Sequence, residues 1–344
     1  MDNTKDINRW IEFAFVKGVK RLDLNFAETD TRFKFEESPQ YTFPDIYHWR
    51  LFELTWESLV SLRLTEVCVF PDFLASFISN CPFLEELHVE NPIGFYSFKT
   101  SPQMIRLKRL VIITSDSFSR LVLCSPSLVS CTLVLTRRED FKIQLKDVSS
   151  LASLSLGRMW LGPLSDCLCD MSECFSSLET LSLRPMALSG LDRYRRYPVL
   201  PGLKKLVLDV DPHHSGNLLF FTPLLDAAPS LREIVMKVEF SPLLALRRGR
   251  RPEKGIEHQC LQVFEIEGYA SVKACPELII YVLENASSFQ RLIINGKVVT
   301  GDVLDLLKSK LDSETCVEDV THIVFPNGRG SKSMNDFNYQ VASR

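Results

Sequence analysis

Long apolar runs are missing from this sequence. No stretch of about 18 or more consecutive apolar residues occurs, so no membrane-spanning helix is predicted. The opening MDNTKDINRW (1–10) is polar and has neither the basic region nor the small-residue cleavage site of a secretory signal. We therefore expect a reducing location, cytoplasmic and/or nuclear, in which the 10 cysteines serve mostly as small buried side chains rather than as disulfides.

A large net charge is missing as well. The sequence contains 40 Lys+Arg and 43 Asp+Glu, which gives a formal net charge of -3 at pH 7. Such a balance provides no bulk attraction to nucleic acid or to an anionic membrane surface. We therefore expect neither of them as a partner.

Motifs that carry catalysis or bind metal are absent too. G-x-S-x-G, H-E-x-x-H and G-x-G-x-x-G do not occur. A structural zinc site needs four ligands in paired spacing, and Cys167, Cys169 and Cys174 have no nearby histidine, which favours partly buried thiols over a metal site. His213 and His214 lack a third ligand, which favours a solvated turn. We expect no enzymatic activity, no cofactor and no metal.

What the sequence does contain is a leucine template that recurs along nearly its whole length. SLVSLRLTEV (58–67) carries Leu59, Leu62 and Leu64 in the pattern L-x-x-L-x-L, and eleven such windows occur between residues 19 and 294. From Leu62 onward their central apolar residues lie 21 to 30 residues apart. The x-L-x-L part is typical of a short strand with alternate side chains pointing inward.

This repeat predicts an α/β leucine-rich-repeat solenoid. One strand per repeat would form a curved parallel sheet on the concave side, with helices and irregular segments on the convex side. The alternative is a doubly wound α/β sheet, which seldom needs eleven strands. The segments at 70–87, 221–234 and 278–292 predict outer helices, whereas SPSLVSCTL (125–133) leaves room only for irregular or 3₁₀ structure. The insertion at 28–49 breaks the period and predicts a loop or hairpin.

The first residues predict an amphipathic helix. In INRWIEFAFVKG (7–18), Ile7, Trp10, Ile11 and Ala14 share one face, and Gly18 is a candidate C-cap. Three further apolar residues lie off that stripe: Phe13, Phe15 and Val16. The helix is therefore expected to cap the first repeat while exposing additional apolar surface.

Several phrases resemble plant F-box proteins with leucine-rich repeats. They are INRWIEFAFVKGVKRLDLNF (7–26), YTFP (41–44), NCPFLEELHVEN (80–91) and, similar to that family's C-terminal FBD-type module, residues 258–296. With the repeats, the resemblance implies four regions. These are an N-terminal capping helix at 1–18, a solenoid at 19–255, an FBD-like C-terminal repeat or cap at 256–312, and a polar, partly disordered tail at 313–344.

The resemblance implies a protein-recognition module like the substrate-binding half of an SCF-type ubiquitin-ligase receptor. In that family an F-box docks on a Skp-type adaptor of a cullin ligase. Only six residues precede Ile7 and no F-box phrase occurs, so the adaptor is expected as a partner only if an F-box lies upstream. The alternative is a stand-alone leucine-rich-repeat interaction protein with no ligase role. In either case we expect a monomer that binds a protein partner.

The position between the last two leucines of each repeat is expected to face outward on the concave side. The candidate partner-binding residues at this position are Asp23, Arg63, His88, Thr132, Ser155, Ser182, Val207, Val235 and Glu265. They change from charged through small and polar to apolar. Val207 and Val235 are either an apolar step in a binding surface or are covered by a loop between repeats.

A basic segment, LRRGRRPEKG (246–255), interrupts the repeats. Its four arginines are Arg247, Arg248, Arg250 and Arg251. An exposed loop is predicted, and a solvated loop or a contact with an acidic partner is favoured over a nuclear-import signal.

Overall fold

A computed structural model describes most of the chain between residues 4 and 298. The described residues are 4–27, 41–43, 56–100, 106–159, 168–169, 171, 175–185, 197–210, 218–238, 255–268, 276–294 and 297–298. Within them the helices are α1 (Thr4–Val16), α2 (Pro71–Ser79), a 3₁₀ turn (Leu218–Phe221), α3 (Thr222–Asp226) and α4 (Pro276–Asn285). None of these helices is long and apolar enough to cross a membrane.

Thirteen strands in this part of the chain form one sheet. They are β1 (Arg21–Asn25), β2 (Ser61–Thr65), β3 (Glu86–Glu90), β4 (Ser97–Lys99), β5 (Arg109–Cys124), β6 (Ser130–Lys146), β7 (Ser153–Met159), β8 (Thr180–Pro185), β9 (Lys205–Val210), β10 (Glu233–Val238), β11 (Val263–Glu267), β12 (Arg291–Ile294) and β13 (Lys297–Val298). Apart from β4, which pairs with β5, they lie in chain order. Every pairing is parallel except that of β12 with β13.

The leucine template sets both the burial and the register of these strands. In β2, Leu62 and Leu64 are buried while Arg63 between them is exposed. The leucines of neighbouring repeats pair directly, as Leu62 does with Leu22 and with Leu87. A slip of one residue would turn the leucines out of the core, so the pattern fixes the pairing. The predicted leucine-rich-repeat solenoid is confirmed.

A hydrogen-bonded ladder runs along the start of the strands. The carbonyl of Lys20 accepts the backbone N–H groups of Val60 and Ser61, at 2.8 and 3.0 Å. The carbonyl of Val60 accepts those of Glu85 and Glu86 in the same way. This double acceptance recurs at each junction between the eleven repeats, up to the carbonyl of Gln262. The ladder therefore fixes the spacing of the repeats along one edge of the sheet.

The outer side of the solenoid is partly as predicted and partly different. Helices α2, α3 and α4 lie in the three segments where helices were expected. The expectation of irregular or 3₁₀ outer structure is wrong for the repeats of β5 and β6, whose strands continue for 16 and 17 residues. Register shifts after Thr114 and Phe118 separate the two halves of β5.

The extended outer halves of β5 and β6 have a clear cause in the sequence. Apolar residues alternate there with polar ones, which is the strand period rather than the helix period. The alternating side chains are buried in the same core as the leucines: Phe118, Leu121, Leu123, Ile143 and Leu145. At the end of the 28–49 insertion, Thr42 bridges Cys68, and Cys68 bridges Ile93, so outer pairing also occurs in the first repeats. The rest of that insertion lies outside the described residues.

The predicted end of helix α1 is confirmed, but its predicted face is wrong in part. Gly18 has a φ of 70° and donates to the carbonyl of Phe15, while Val19 donates to that of Ala14, which is a Schellman motif. Phe15 is only 2% exposed, whereas Trp10 is 69% exposed. The reason is an aromatic contact, because the ring of Phe15 stacks on that of Trp56 with centroids 5.8 Å apart.

The last described repeat lies within the region predicted as an FBD-like C-terminal cap. Strand β11 is followed by Gly268, with a φ of 117°, and then by α4 and β12. Residues 299–344 lie outside the described residues. The domain boundaries given above therefore remain predictions.

The concave face as candidate functional site

The outward side chains of the sheet form rows across the strands, because every repeat pairs in the same register. One row, here called the middle row, contains Asp23, Arg63, His88, Val111, Thr132, Ser155, Ser182, Val207, Val235, Glu265 and Ile293. All nine candidate residues lie in this row. The sequence pattern therefore placed them on one face, and the two flanking rows complete the surface.

The first part of this face, here called the N-terminal section (β1–β3 and the start of β5), carries charges that pair with each other. The Glu90 carboxylate is 3.3 Å from the guanidinium of Arg63 and 3.0 Å from Nε2 of His88. Glu86 pairs with Arg109 at 3.2 Å. Both carboxylates thus have cationic or imidazole partners, and the candidates Arg63 and His88 are already engaged within the protein.

Two details of the N-terminal section were not evident from the sequence. Arg109 belongs to a flanking row of the face and was missed, although its place before the central leucine of its repeat could have revealed it. Ser61 donates a hydrogen bond to the Glu86 carboxylate at 3.2 Å. Asp23 is exposed on the first strand and forms no ion pair with another described residue.

The centre of the face is here called the hydroxyl section (β6–β8). It carries no charged side chain in the middle row or in the flanking row at the start of the strands. Two rows of three hydroxyl side chains lie there: Ser130, Thr132, Ser153, Ser155, Thr180 and Ser182. All are half-buried, and their hydroxyl groups form no hydrogen bond to other residues in the described part of the chain. Neighbouring strands are about 4.8 Å apart, so these hydroxyls form a regular grid of donors and acceptors.

The last part of the face is here called the C-terminal section (β9–β12). Its middle row is apolar except at Glu265. Val207 is half-buried, but Val235 is only 5% exposed. Ion pairs lie on both sides of Val235 along the strand. Glu233, two residues before it on the same face, pairs with Lys205 at 2.9 Å. Lys237, two residues after it, pairs with Glu267 at 3.4 Å. Val235 is thus almost fully buried and Val207 partly exposed, and the choice between the two readings of these valines stays a prediction.

Glu265 differs from the other carboxylates of the C-terminal section. It lies in the middle row between Val235 and Ile293 and is half-buried. Among the described residues it has no ion-pair partner. The sequence singled out this position but did not reveal that the carboxylate lacks an ion pair within the described part of the chain.

The other motifs contribute little to a site. The four arginines of the basic loop lie outside the described residues, as do Cys167, Cys174, His213 and His214. Cys169 is exposed. Within the part that the structure describes, no group of three or more His, Cys, Asp or Glu residues is placed to hold a metal ion.

Two buried thiols have structural surroundings. Burial raises the pKa of Cys131 to about 12 and raises that of Cys81 above its ordinary range as well. A thiol held in its protonated form is a poor nucleophile. These cysteines therefore belong to the core rather than to a reactive site.

The eleven-repeat parallel sheet, its leucine core and its open concave face define a leucine-rich-repeat protein. Residues 50–334 match the family model described as At1g61320/AtMIF1, LRR domain, and the chain belongs to this family. No curated protein matches the sequence. Leucine-rich repeats form extended concave surfaces that serve as protein-interaction modules.

Proposed function

We propose that this protein is a recognition module that binds a partner protein across its concave face. The observation that carries the proposal is the register, which aligns the outward side chains of eleven strands into continuous rows. Ten intervals of about 4.8 Å give a face of roughly 50 Å, a length suited to a protein surface and too open for a small molecule. The hydroxyls of the hydroxyl section support it further, because they form no hydrogen bond to other described residues.

The test introduces bulk at the centre of the face. The double substitution Ser155→Arg with Ser182→Arg places two long cations in the middle row without touching the leucine core. As a matched control, Gln144→Arg adds an arginine to the exposed outer half of β6. Partners would be purified from cells with each variant. The proposal predicts that a specific partner is lost with the double variant and retained with the control, and an equal recovery with both would contradict it.

The finer proposal is that the partner is a substrate of an SCF-type ubiquitin ligase. The resemblance of residues 7–26 and 258–296 to F-box proteins supports it, whereas the matched family concerns the repeat domain alone. Expression from the complete coding sequence, followed by purification, tests it. Co-purification of a Skp-type adaptor and a cullin is the expected result.

The alternative is a stand-alone interaction protein. It is favoured if a partner depends on the concave face but neither adaptor nor cullin is recovered from the complete coding sequence.

For cellular location we propose the cytoplasm and/or the nucleus. A fluorescent fusion in which Arg247, Arg248, Arg250 and Arg251 are changed to alanine tests whether the basic loop directs import, since an unchanged nuclear fraction would exclude that role.

A further inference from the structure

The carboxylate of Glu265 is the starting point, because it is treated differently from its neighbours. Three other carboxylates in the flanking rows of the same region each have a cation. The pairs are Arg184 with Asp209 at 3.5 Å, Lys205 with Glu233 at 2.9 Å, and Lys237 with Glu267 at 3.4 Å. Glu265 has no such partner among the described residues.

The surroundings of Glu265 explain why it has no ion-pair partner among the described residues. In the middle row its partners across the sheet are Val235 on one side and Ile293 on the other. Both are apolar, so neither neighbouring strand places a cation directly beside it. Arg291 lies in a flanking row of β12 and forms no ion pair with Glu265. A half-buried carboxylate is thus set into an apolar row.

This arrangement lacks a counter-charge for the carboxylate. A carboxylate between apolar side chains loses part of its hydration and gains no charge in return. A basic side chain from outside would supply both missing elements. Its charged head would pair with the carboxylate, and its aliphatic stem would lie along the apolar row, as the stems of lysine and arginine do on apolar surfaces.

We propose that the C-terminal section binds an extended segment of a partner protein that places an arginine or lysine side chain on Glu265, with Ile293 contacting its aliphatic stem and Val207 contacting another residue of the same segment. This inference rests on the proposed function and names the chemistry of the partner. Four strands span roughly 14 Å, the length of about four extended residues. A short peptide is therefore sufficient to occupy the site.

The experiment uses the purified full chain and a library of random peptides displayed on phage. Peptides selected on the wild-type protein are expected to share an arginine or lysine. Their binding to the Glu265→Gln variant is expected to be weaker by about tenfold or more, since truncating one partner of a buried charge pair raises the dissociation rate. Replacement of the shared basic residue by an uncharged one in the peptide is expected to have the same effect.

Glu267→Gln is the matched control. It removes a carboxylate of the same strand, two residues away, that already pairs with Lys237. Binding to this variant is expected to stay within about twofold of wild type. Thermal melts of both variants check folding. Glu265→Gln is expected to have the melting temperature of the wild-type protein, because it removes a charge that has no ion-pair partner among the described residues.

Failure of this inference differs from failure of the proposed function. A third variant, Val207→Arg, blocks the apolar row. If peptides lose binding to it but bind Glu265→Gln as tightly as wild type, the concave face binds protein and the role of Glu265 is wrong. If peptides bind all variants equally, the binding face itself is wrong. A selection that returns no peptide, or peptides without a basic residue, also overturns the inference.

Discussion

The N-terminal and C-terminal sections of the concave face share one scaffold and differ in how completely their charges are paired. Glu86 and Glu90 in the first have their counter-charges on neighbouring strands. Glu265 in the second has only apolar neighbours in its row. The difference shows that a carboxylate on this face can form an ion pair within the protein or stay available to a partner. The residues beside it in the neighbouring strands determine which of the two occurs.

The first prediction compares two glycines, Gly18 just before the N-terminal section and Gly268 just after strand β11 of the C-terminal section, and has the largest expected effect. A Cβ at Gly268 would lie 2.0 Å from the carbonyl oxygen of Val238, whereas a Cβ at Gly18 would have 3.9 Å to its nearest neighbours. Gly268→Ala is therefore expected to lower the free energy of unfolding by more than about 4 kcal/mol. Gly18→Ala is expected to cost about 1 kcal/mol, for its left-handed backbone alone.

Urea denaturation of both glycine variants measures this difference. Equal midpoints for the two would show that the backbone at Gly268 can move away from Val238. In that case the junction between β10 and β11 would be looser than the geometry indicates.

The second prediction compares two valines of the middle row. Val235 is 5% exposed, and Val111 in the N-terminal section is half-buried. Val235→Asp is expected to cost about 3 kcal/mol, because it buries a charge between two carboxylate-containing ion pairs. Val111→Asp is expected to cost about 1 kcal/mol or less. Thermal melts decide the matter, and a wild-type melting temperature for Val235→Asp would mean that this position is accessible to a partner.

The third prediction compares two buried tyrosines, each of which forms a side-chain hydrogen bond between elements near one end of the solenoid. Tyr41 donates to the amide oxygen of Asn8 at 2.7 Å, and Tyr281 donates to the carboxylate of Asp226 at 2.6 Å. Hydrogen bonds to charged acceptors contribute more than those to neutral ones. Tyr281→Phe is therefore expected to cost about 2 kcal/mol and Tyr41→Phe about 1 kcal/mol, measured by urea denaturation at neutral pH.

The same tyrosine gives a pH dependence with a definite sign. Burial, and then the hydrogen bond to Asp226, raise the pKa of Tyr281 above its ordinary value of 10.0. The folded state therefore holds this proton more tightly than the unfolded state does. Its contribution is fully present below pH 10 and is lost as the pH rises further. Tyr281→Phe is expected to flatten the fall in stability above pH 10, and an unchanged slope would contradict the assignment.

The fourth prediction has the smallest expected effect and compares the paired carboxylate Glu90 with Glu265. Glu90→Gln removes the charge that pairs with Arg63 and His88, and is expected to cost about 1 kcal/mol or less. Glu265→Gln removes a charge that pairs with no other residue in the described part of the chain, and it is expected to leave the melting temperature unchanged or slightly raised. A loss of stability for Glu265→Gln equal to that of Glu90→Gln would show that Glu265 serves the fold.

The sequence was sufficient for those features that depend on local spacing. The leucines placed all eleven strands and the middle row, because a strand alternates with period two and a leucine turned outward loses its burial. The three outer helices and the cap at Gly18 followed from the same local signals. These features need no knowledge of which residues meet across the structure.

Features that depend on contacts between distant residues were not predictable in this way. Trp10 and Phe15 are both large aromatic residues, and the rings of Trp56 and Phe77, against which Phe15 packs, determine that Phe15 is the buried one. The unpaired state of Glu265 depends on the identities of Val235 and Ile293, which lie about 30 residues away along the chain on either side. The extended outer halves of β5 and β6 do have a local signal, because apolar and polar residues alternate there. The prediction of irregular or 3₁₀ outer segments did not take this alternation into account.

The outer strands of β4, β5 and β6 have a mechanical consequence for the shape of the solenoid. The ladder at the strand starts holds the repeats about 4.8 Å apart on the inner edge. An outer helix about 10 Å wide spreads the repeats behind it and bends the arc, whereas outer strands repeat at the same interval as the inner ones. We therefore expect the arc to be straighter at β4–β6 than at the described repeats whose outer segments are α2, α3 and α4. A partner that lies along β4–β6 would then meet a flatter part of the concave face.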